Sequence, residues 1–175
     1  IGLSLVGSEM CIRDRLSGRV RRSLQWWLCF LECVPRRTAR ASEPVARRRC
    51  IIYSDATGKG NLAWVICLPS LRCWSSAEVP DAVWSWARFR KYQVATWELL
   101  AAICALNWLL RQSLGELDVV LFVDNQTALG TLLRGSSRQS DWNDLVGDLW
   151  LRVARAGILL SLIHISEPTR LNQIS

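Results

Sequence analysis

The sequence predicts an α/β fold built on one mixed five-stranded sheet, three antiparallel strands followed by parallel ones, with helices on its faces. Three observations predict it. Residues 50–76 contain three short runs rich in β-branched and aromatic residues, parted by tight turns. Residues 93–111 contain a long helical pattern with a lane of small side chains. Val119-Val120-Leu121-Phe122-Val123 is a buried-type strand that runs through Asp124 into another helical pattern, the βα step of a parallel sheet.

In chain order, Leu24-Gln25-Trp26-Trp27-Leu28-Cys29-Phe30-Leu31 reads as a short helix with an aromatic face that needs a partner surface. Pro35 and Pro44 bracket a polar, Arg-rich stretch that continues through Arg47-Arg48-Arg49 and reads as a tether. Cys50 to Asp55 is a first strand, Ala56 to Asn61 a turn, Leu62 to Leu68 a second strand, and Leu71 to Ser76 a third. A loop with Pro80, Trp84 and Trp86 leads into a helix from Gln93 to Arg111. Asp118 to Val123 is the fourth strand, with a short helix from Gln126 to Leu133 after it. Ser140 is the expected N-cap of a last helix, Asp141 to Ala156, which Gly157 stops. Ile158-Leu159-Leu160 opens a fifth strand, and the residues that follow are apolar enough to extend it.

The chain has 175 residues, half of them hydrophobic, which suits one domain with an ample core. Ser4 to Arg15 and Ser161 to Arg170 resemble translated sequencing-adapter read-through, so residues 1–15 and 161–175 are expected to stand outside the domain. The boundaries that follow are 16–49 for a basic connecting segment and 50–160 for the folded domain. The apolar run Val94 to Leu110 falls short of a membrane span and is interrupted by Glu98 and Asn107, which argues against a membrane partner. Seven cysteines without a CxxC pair and a single histidine, His164, argue against zinc and fit an intracellular setting.

The formal charge of +7 is localised. Leu16 to Cys50 holds nine Arg against two Glu, whereas Ile51 to Leu160 balances ten basic with ten acidic residues. Arg36, Arg37, Arg47, Arg48 and Arg49 are therefore candidate phosphate contacts, with Trp26 or Trp27 for stacking. The same composition also describes a solvated linker, and the two readings are compatible.

Asp55 ends the first strand, Asp124 ends the fourth, and Glu98 sits in the helix among Val94, Ala95, Ala101, Ala102 and Ala105. Placed on adjacent parallel strands, Asp55 and Asp124 would lie where open α/β sheets collect ligands. The lane of small residues would let the helix approach the sheet and turn Glu98 toward it. Asp55 before Thr57-Gly58 is equally consistent with turn chemistry, and Asp124-Asn125 with a helix cap. Glu98 has no comparable structural use. Three acids brought together repel one another unless protons or cations neutralise them. A set of oxygen ligands favours Mg²⁺ or Mn²⁺.

The blocks IIYSDATGKGNLAWVI, ATWELLAAICAL, VVLFVDNQTALGTLLRG and DWNDLVGDLW, over Cys50 to Leu160, resemble the ribonuclease H domain of retroelement reverse transcriptases of the DIRS-like type. Leu16 to Arg49, with its LQWWL block, resembles the stretch that joins polymerase to ribonuclease H in such polyproteins. The resemblance implies a ribonuclease H-like fold. It also implies two-metal hydrolysis of RNA in RNA–DNA hybrids with two Mg²⁺ ions at Asp55, Glu98 and Asp124, and the polymerase domain of the same polyprotein as partner. The match ends at Leu160, before the family's fourth acid and last helix, so the expectation is a domain lacking that helix, with impaired cleavage. The alternatives are a non-catalytic nucleic-acid-binding connection module and a transposase-type core. The second needs an acid between Leu149 and Leu160, where the sequence has none.

Overall fold

The computed structural model describes residues 17–33, 47–87 and 93–165. The chain divides into two units that part between Arg36 and Arg37.

In the first unit, α1 (Gly18–Cys33) is a 16-residue helix, longer than the segment its aromatic block marks out. Ser17 starts it: the hydroxyl accepts from the Val20 amide at 3.3 Å and the carbonyl from the Arg21 amide at 3.0 Å. Trp26 and Phe30 stack one helical turn apart, their ring centroids 5.2 Å from each other. Val20, Leu24, Trp27, Leu28 and Leu31 form an exposed apolar stripe at helical spacing. The segment between Pro35 and Pro44, with Arg36 and Arg37, lies outside the described residues.

The second unit begins with β1 (Arg48–Ala56), β2 (Asn61–Leu68) and β3 (Leu71–Glu78), followed by the short helix α2 (Asp81–Ala87) and the long helix α3 (Gln93–Arg111). It continues with β4 (Leu117–Val123), α4 (Gln126–Arg134), α5 (Ser140–Arg155) and β5 (Leu159–His164). The sheet order is β3-β2-β1-β4-β5. β1, β2 and β3 pair antiparallel, and β4 joins both β1 and β5 in parallel. This is the mixed five-stranded sheet expected from the sequence.

Strand alternation decides which face is covered. Cys50, Ile52, Ile66, Val119 and Leu121 are buried and pack with Leu99, Ala102 and Leu106 of α3 and with Trp142, Leu149 and Val153 of α5. Their neighbours Tyr53 and Phe122 point to the other face, where the two rings stack at 4.8 Å. At 19 residues α3 has the length and hydropathy of a membrane span, but most of it is buried in the domain, as befits a core helix.

Four local expectations shift. The loop expected around Trp84 contains α2, which starts where the Pro80 carbonyl accepts the amides of Val83 and Trp84, both at 2.9 Å. Seven residues are too few to show a period, and burial of Ala87 and packing of Trp84 hold the helix instead. At α5, Gln139 rather than Ser140 occupies the cap position, and its side chain makes no capping bond. β1 begins at Arg48, inside the stretch read as a tether, because Arg48 and Arg49 pair with Leu117 and Asp118 of β4. β5 continues past Leu160 to His164, in register with Val123. Gly157 ends α5 as expected, with a left-handed φ of 66°.

Candidate functional site

The parallel pairing of β1 with β4 carries the site. Ser54 lies opposite Val123, so Asp55 and Asp124 follow at the carboxyl ends of neighbouring strands, and both are exposed. Across from them α3 sits close to the sheet, because Ala95, Ala101, Ala102 and Ala105 on its inner side are buried and small. Glu98 on that helix is only 3% exposed.

One backbone group joins two of the acids. The Ala56 amide donates to Asp55 Oδ1 at 2.8 Å and to Glu98 Oε1 at 3.1 Å. Glu98 Oε2 is buried and has no hydrogen-bond partner among the described residues. A buried, unpartnered carboxylate oxygen is costly, and the cost falls on the charged form. Burial accordingly pushes the Glu98 carboxyl up to about 7. The Ala56 amide pulls it partly back, while the charges of Asp55 and Asp124 and a hydrogen bond with Asp55 raise it further. Asp55, Glu98 and Asp124 thus share one electrostatic field.

No arginine or lysine among the described residues forms an ion pair with any of the three acids. Nor are three metal-ligating side chains already gathered around a common point among the described residues. The donor chemistry nevertheless suits a hard divalent cation, since every side-chain ligand is a carboxylate and one oxygen is orphaned in the interior.

The competing structural uses fall largely to other residues. Asn125 caps α4, its Oδ1 accepting from Thr127 and Ala128 at 3.0 and 3.1 Å, so the Asp124 side chain has no capping role. Thr57 makes the β1–β2 turn, its hydroxyl accepting from the Asn61 amide at 3.2 Å. His164 Nε2 donates to the Asp124 carbonyl at 2.7 Å, which fixes the proton on that nitrogen, since a carbonyl only accepts.

The described arginine candidates, Arg47, Arg48 and Arg49, sit elsewhere. Arg36 and Arg37 are outside the described residues. Arg47 pairs with Glu116 at 3.1 Å and also donates to the Gly157 carbonyl. Arg48 donates to the Leu114 carbonyl, and Arg49 reaches Asp118 at 3.2 Å. These contacts tie the start of β1 to the chain around β4. Asp55 lies six residue steps along the strand from Arg49, roughly 20 Å away.

Sequence reasoning singled out the three acids as candidates and missed what surrounds them: the bridging Ala56 amide, the Trp84–Trp97 stack beside it, and the approach of His164 to Asp124. The first is a backbone group without a sequence signature. For the second, Trp84 and Trp86 in the loop after Pro80 were the only signal.

No protein-family model matches the chain, and no curated protein does either. Among solved structures it is similar to LC11-RNase H1 in complex with an RNA/DNA hybrid, at 17% identity over 66% of this chain and 84% of that one, with a TM-score of 0.52. RNase H1 from the halophilic archaeon Halobacterium salinarum NRC-1 follows at 13% identity over 69% and 86%, with a TM-score of 0.43. An N-terminal RNase H domain from Mycobacterium tuberculosis gives 10% identity over 67% and 83%, with a TM-score of 0.44. The first of these likenesses, together with the strand order, defines the class: this is a ribonuclease H-like fold.

Proposed function

We propose that the chain carries a ribonuclease H-type nuclease domain of a retroelement reverse transcriptase, acting on the RNA strand of RNA–DNA hybrids with divalent ions held by Asp55, Glu98 and Asp124. The observation that carries the reading is Glu98: a buried carboxyl with an orphaned oxygen, held by the Ala56 amide beside Asp55 and in the field of Asp124. Two bound Mg²⁺ or Mn²⁺ ions would supply an activated water and charge stabilisation at the leaving oxygen. The protein's own part is positional. The Ala56 amide orients Glu98 through Oε1, which leaves Oε2 for a ligand. The exposed carboxylates of Asp55 and Asp124 would complete the set.

An A-form-like hybrid is recognised through shape and 2′-hydroxyls, and the neighbour solved with an RNA/DNA hybrid supports that class of substrate for this chain. In this reading Arg36, Arg37 and the Arg47–Arg49 run contribute phosphate contacts, the polymerase domain of the same polyprotein is the partner, and the setting is intracellular.

The test is cleavage of a labelled RNA–DNA hybrid in Mg²⁺, with DNA and RNA duplexes as controls. Asp55→Asn should lower the rate by more than roughly 100-fold, beyond the effect usual for residues outside the metal's own ligand set. Unchanged cleavage in Asp55→Asn refutes the assignment. Hybrid binding without cleavage by the unaltered chain favours the non-catalytic module instead.

A further inference from the structure

The turn after Asp55 rests on a second, smaller apolar cluster, distinct from the main core. Ala56, Leu62, Ala87, Trp97 and Ala101 are buried there, with Val79, Val83 and Trp84 packed against them. The turn itself is tight: the Thr57 amide bonds the Asn61 carbonyl at 2.9 Å and the Gly60 amide bonds the Thr57 carbonyl at 3.0 Å. Gly60 has a φ of 80°, and a Cβ there would stand 2.9 Å from the Trp84 ring and 3.4 Å from Val79. The Trp84 ring therefore closes directly onto the turn.

Trp84 also stacks on Trp97, centroid to centroid at 5.1 Å with 10° between the ring planes. Trp97 is fully buried and immediately precedes Glu98 on α3. Ala56, whose amide both Asp55 and Glu98 accept, belongs to the same cluster. Trp84 thus stands between the turn that follows Asp55 and the helix that carries Glu98.

We propose that Trp84 is a positioning residue: stacked on Trp97 and closed over Gly60, it fixes the Ala56 amide between Asp55 and Glu98 and so sets the spacing of the two carboxylates. The inference rests on reading those carboxylates as a divalent-ion site. Its local character follows from the fold, since α2 is a seven-residue helix packed on the small cluster. Loosening it should open the turn without melting the sheet.

The experiment compares the full chain with Trp84→Leu and Trp84→Phe by amide hydrogen exchange, Mn²⁺ titration and hybrid cleavage. Trp84→Leu is expected to speed exchange at Ala56 about tenfold or more while Val119 and Leu121 keep their protection. Mn²⁺ affinity should fall roughly 10-fold, as it does when groups that orient metal ligands are removed, and kcat should drop with KM little changed. Trp84→Phe keeps an aromatic face on Trp97 and should restore most of each signal. If Trp84→Leu does not fold, Trp84→Met, which keeps a larger apolar side chain against Trp97, takes its place and should give a weaker form of the same pattern. Unchanged exchange at Ala56 overturns the proposal, as does loosened exchange with unchanged Mn²⁺ affinity. If the unaltered chain neither binds Mn²⁺ nor cleaves hybrid, the divalent-ion reading is what fails, and exchange at Ala56 alone then decides whether Trp84 sets that amide.

Discussion

Replacing Glu98 with Gln should stabilise the protein at pH 8 and do almost nothing at pH 4.5. The folded carboxyl titrates near 7 against an ordinary value of 4.5. Below pH 4.5 both folded and unfolded chains hold the proton, and the stabilisation it gives the fold is fully present. Between 4.5 and 7 the unfolded chain has lost its proton while the folded one keeps it, so stability falls as pH rises. Above 7 the contribution is gone. A shift of that size corresponds to about 3 kcal/mol at roughly 1.4 kcal/mol per pH unit. Gln is neutral throughout and its Oε1 still accepts from the Ala56 amide, so the variant avoids the penalty without losing the bond.

Urea unfolding followed by tryptophan fluorescence, in chelator at pH 4.5 and pH 8, measures this. The variant's advantage should grow from near zero to about 2–3 kcal/mol between the two conditions. An advantage of equal size at both pH values would refute the reasoning, because it would not come from ionisation. Saturating Mg²⁺ should then close the gap at pH 8 by stabilising the unaltered chain alone, by about 2.7 kcal/mol at a hundredfold excess over the dissociation constant.

Asn125→Ala removes the cap from two amides at the start of α4 and should cost about 1 kcal/mol in urea unfolding, whereas Asp124→Ala should leave that helix end intact. Hybrid affinity should fall steeply with salt, and the double change Arg36→Ala, Arg37→Ala should reduce the slope of log affinity against log salt by about 2, since each lost phosphate contact removes roughly one counterion. An unaltered slope would remove those two residues from the interface.

The parts of the fold that were legible have one uninterrupted period. β4 alternates buried and half-buried residues through its whole length, and α3 holds its small residues on one side over about three turns. Asp55 and Asp124 could be paired from the sequence because each ends an apolar run, and parallel pairing of two such strands sets their ends side by side. The arginine run could not be read correctly at one end, because a charge cluster next to prolines looks like linker. Its partners Glu116 and Asp118 lie about seventy residues on, and only the β1–β4 pairing brings them together. The same holds for Trp84 and for the Ala56 amide, whose roles come from neighbours remote in sequence.

The three acids are not equivalent, and the fold explains why. Asp55 and Asp124 are exposed at strand ends, while the burden of concentrating charge falls on Glu98, the one held in the interior. Because burial pushes its carboxyl up to about 7, Glu98 keeps a proton at pH values where an ordinary carboxylate has lost its own. With no basic side chain among the described residues to neutralise the group, the proton does the work of a cation. A divalent ion entering this site competes with that single proton, so its affinity should rise with pH up to about 7 and level off beyond, and uptake below that pH should release a proton.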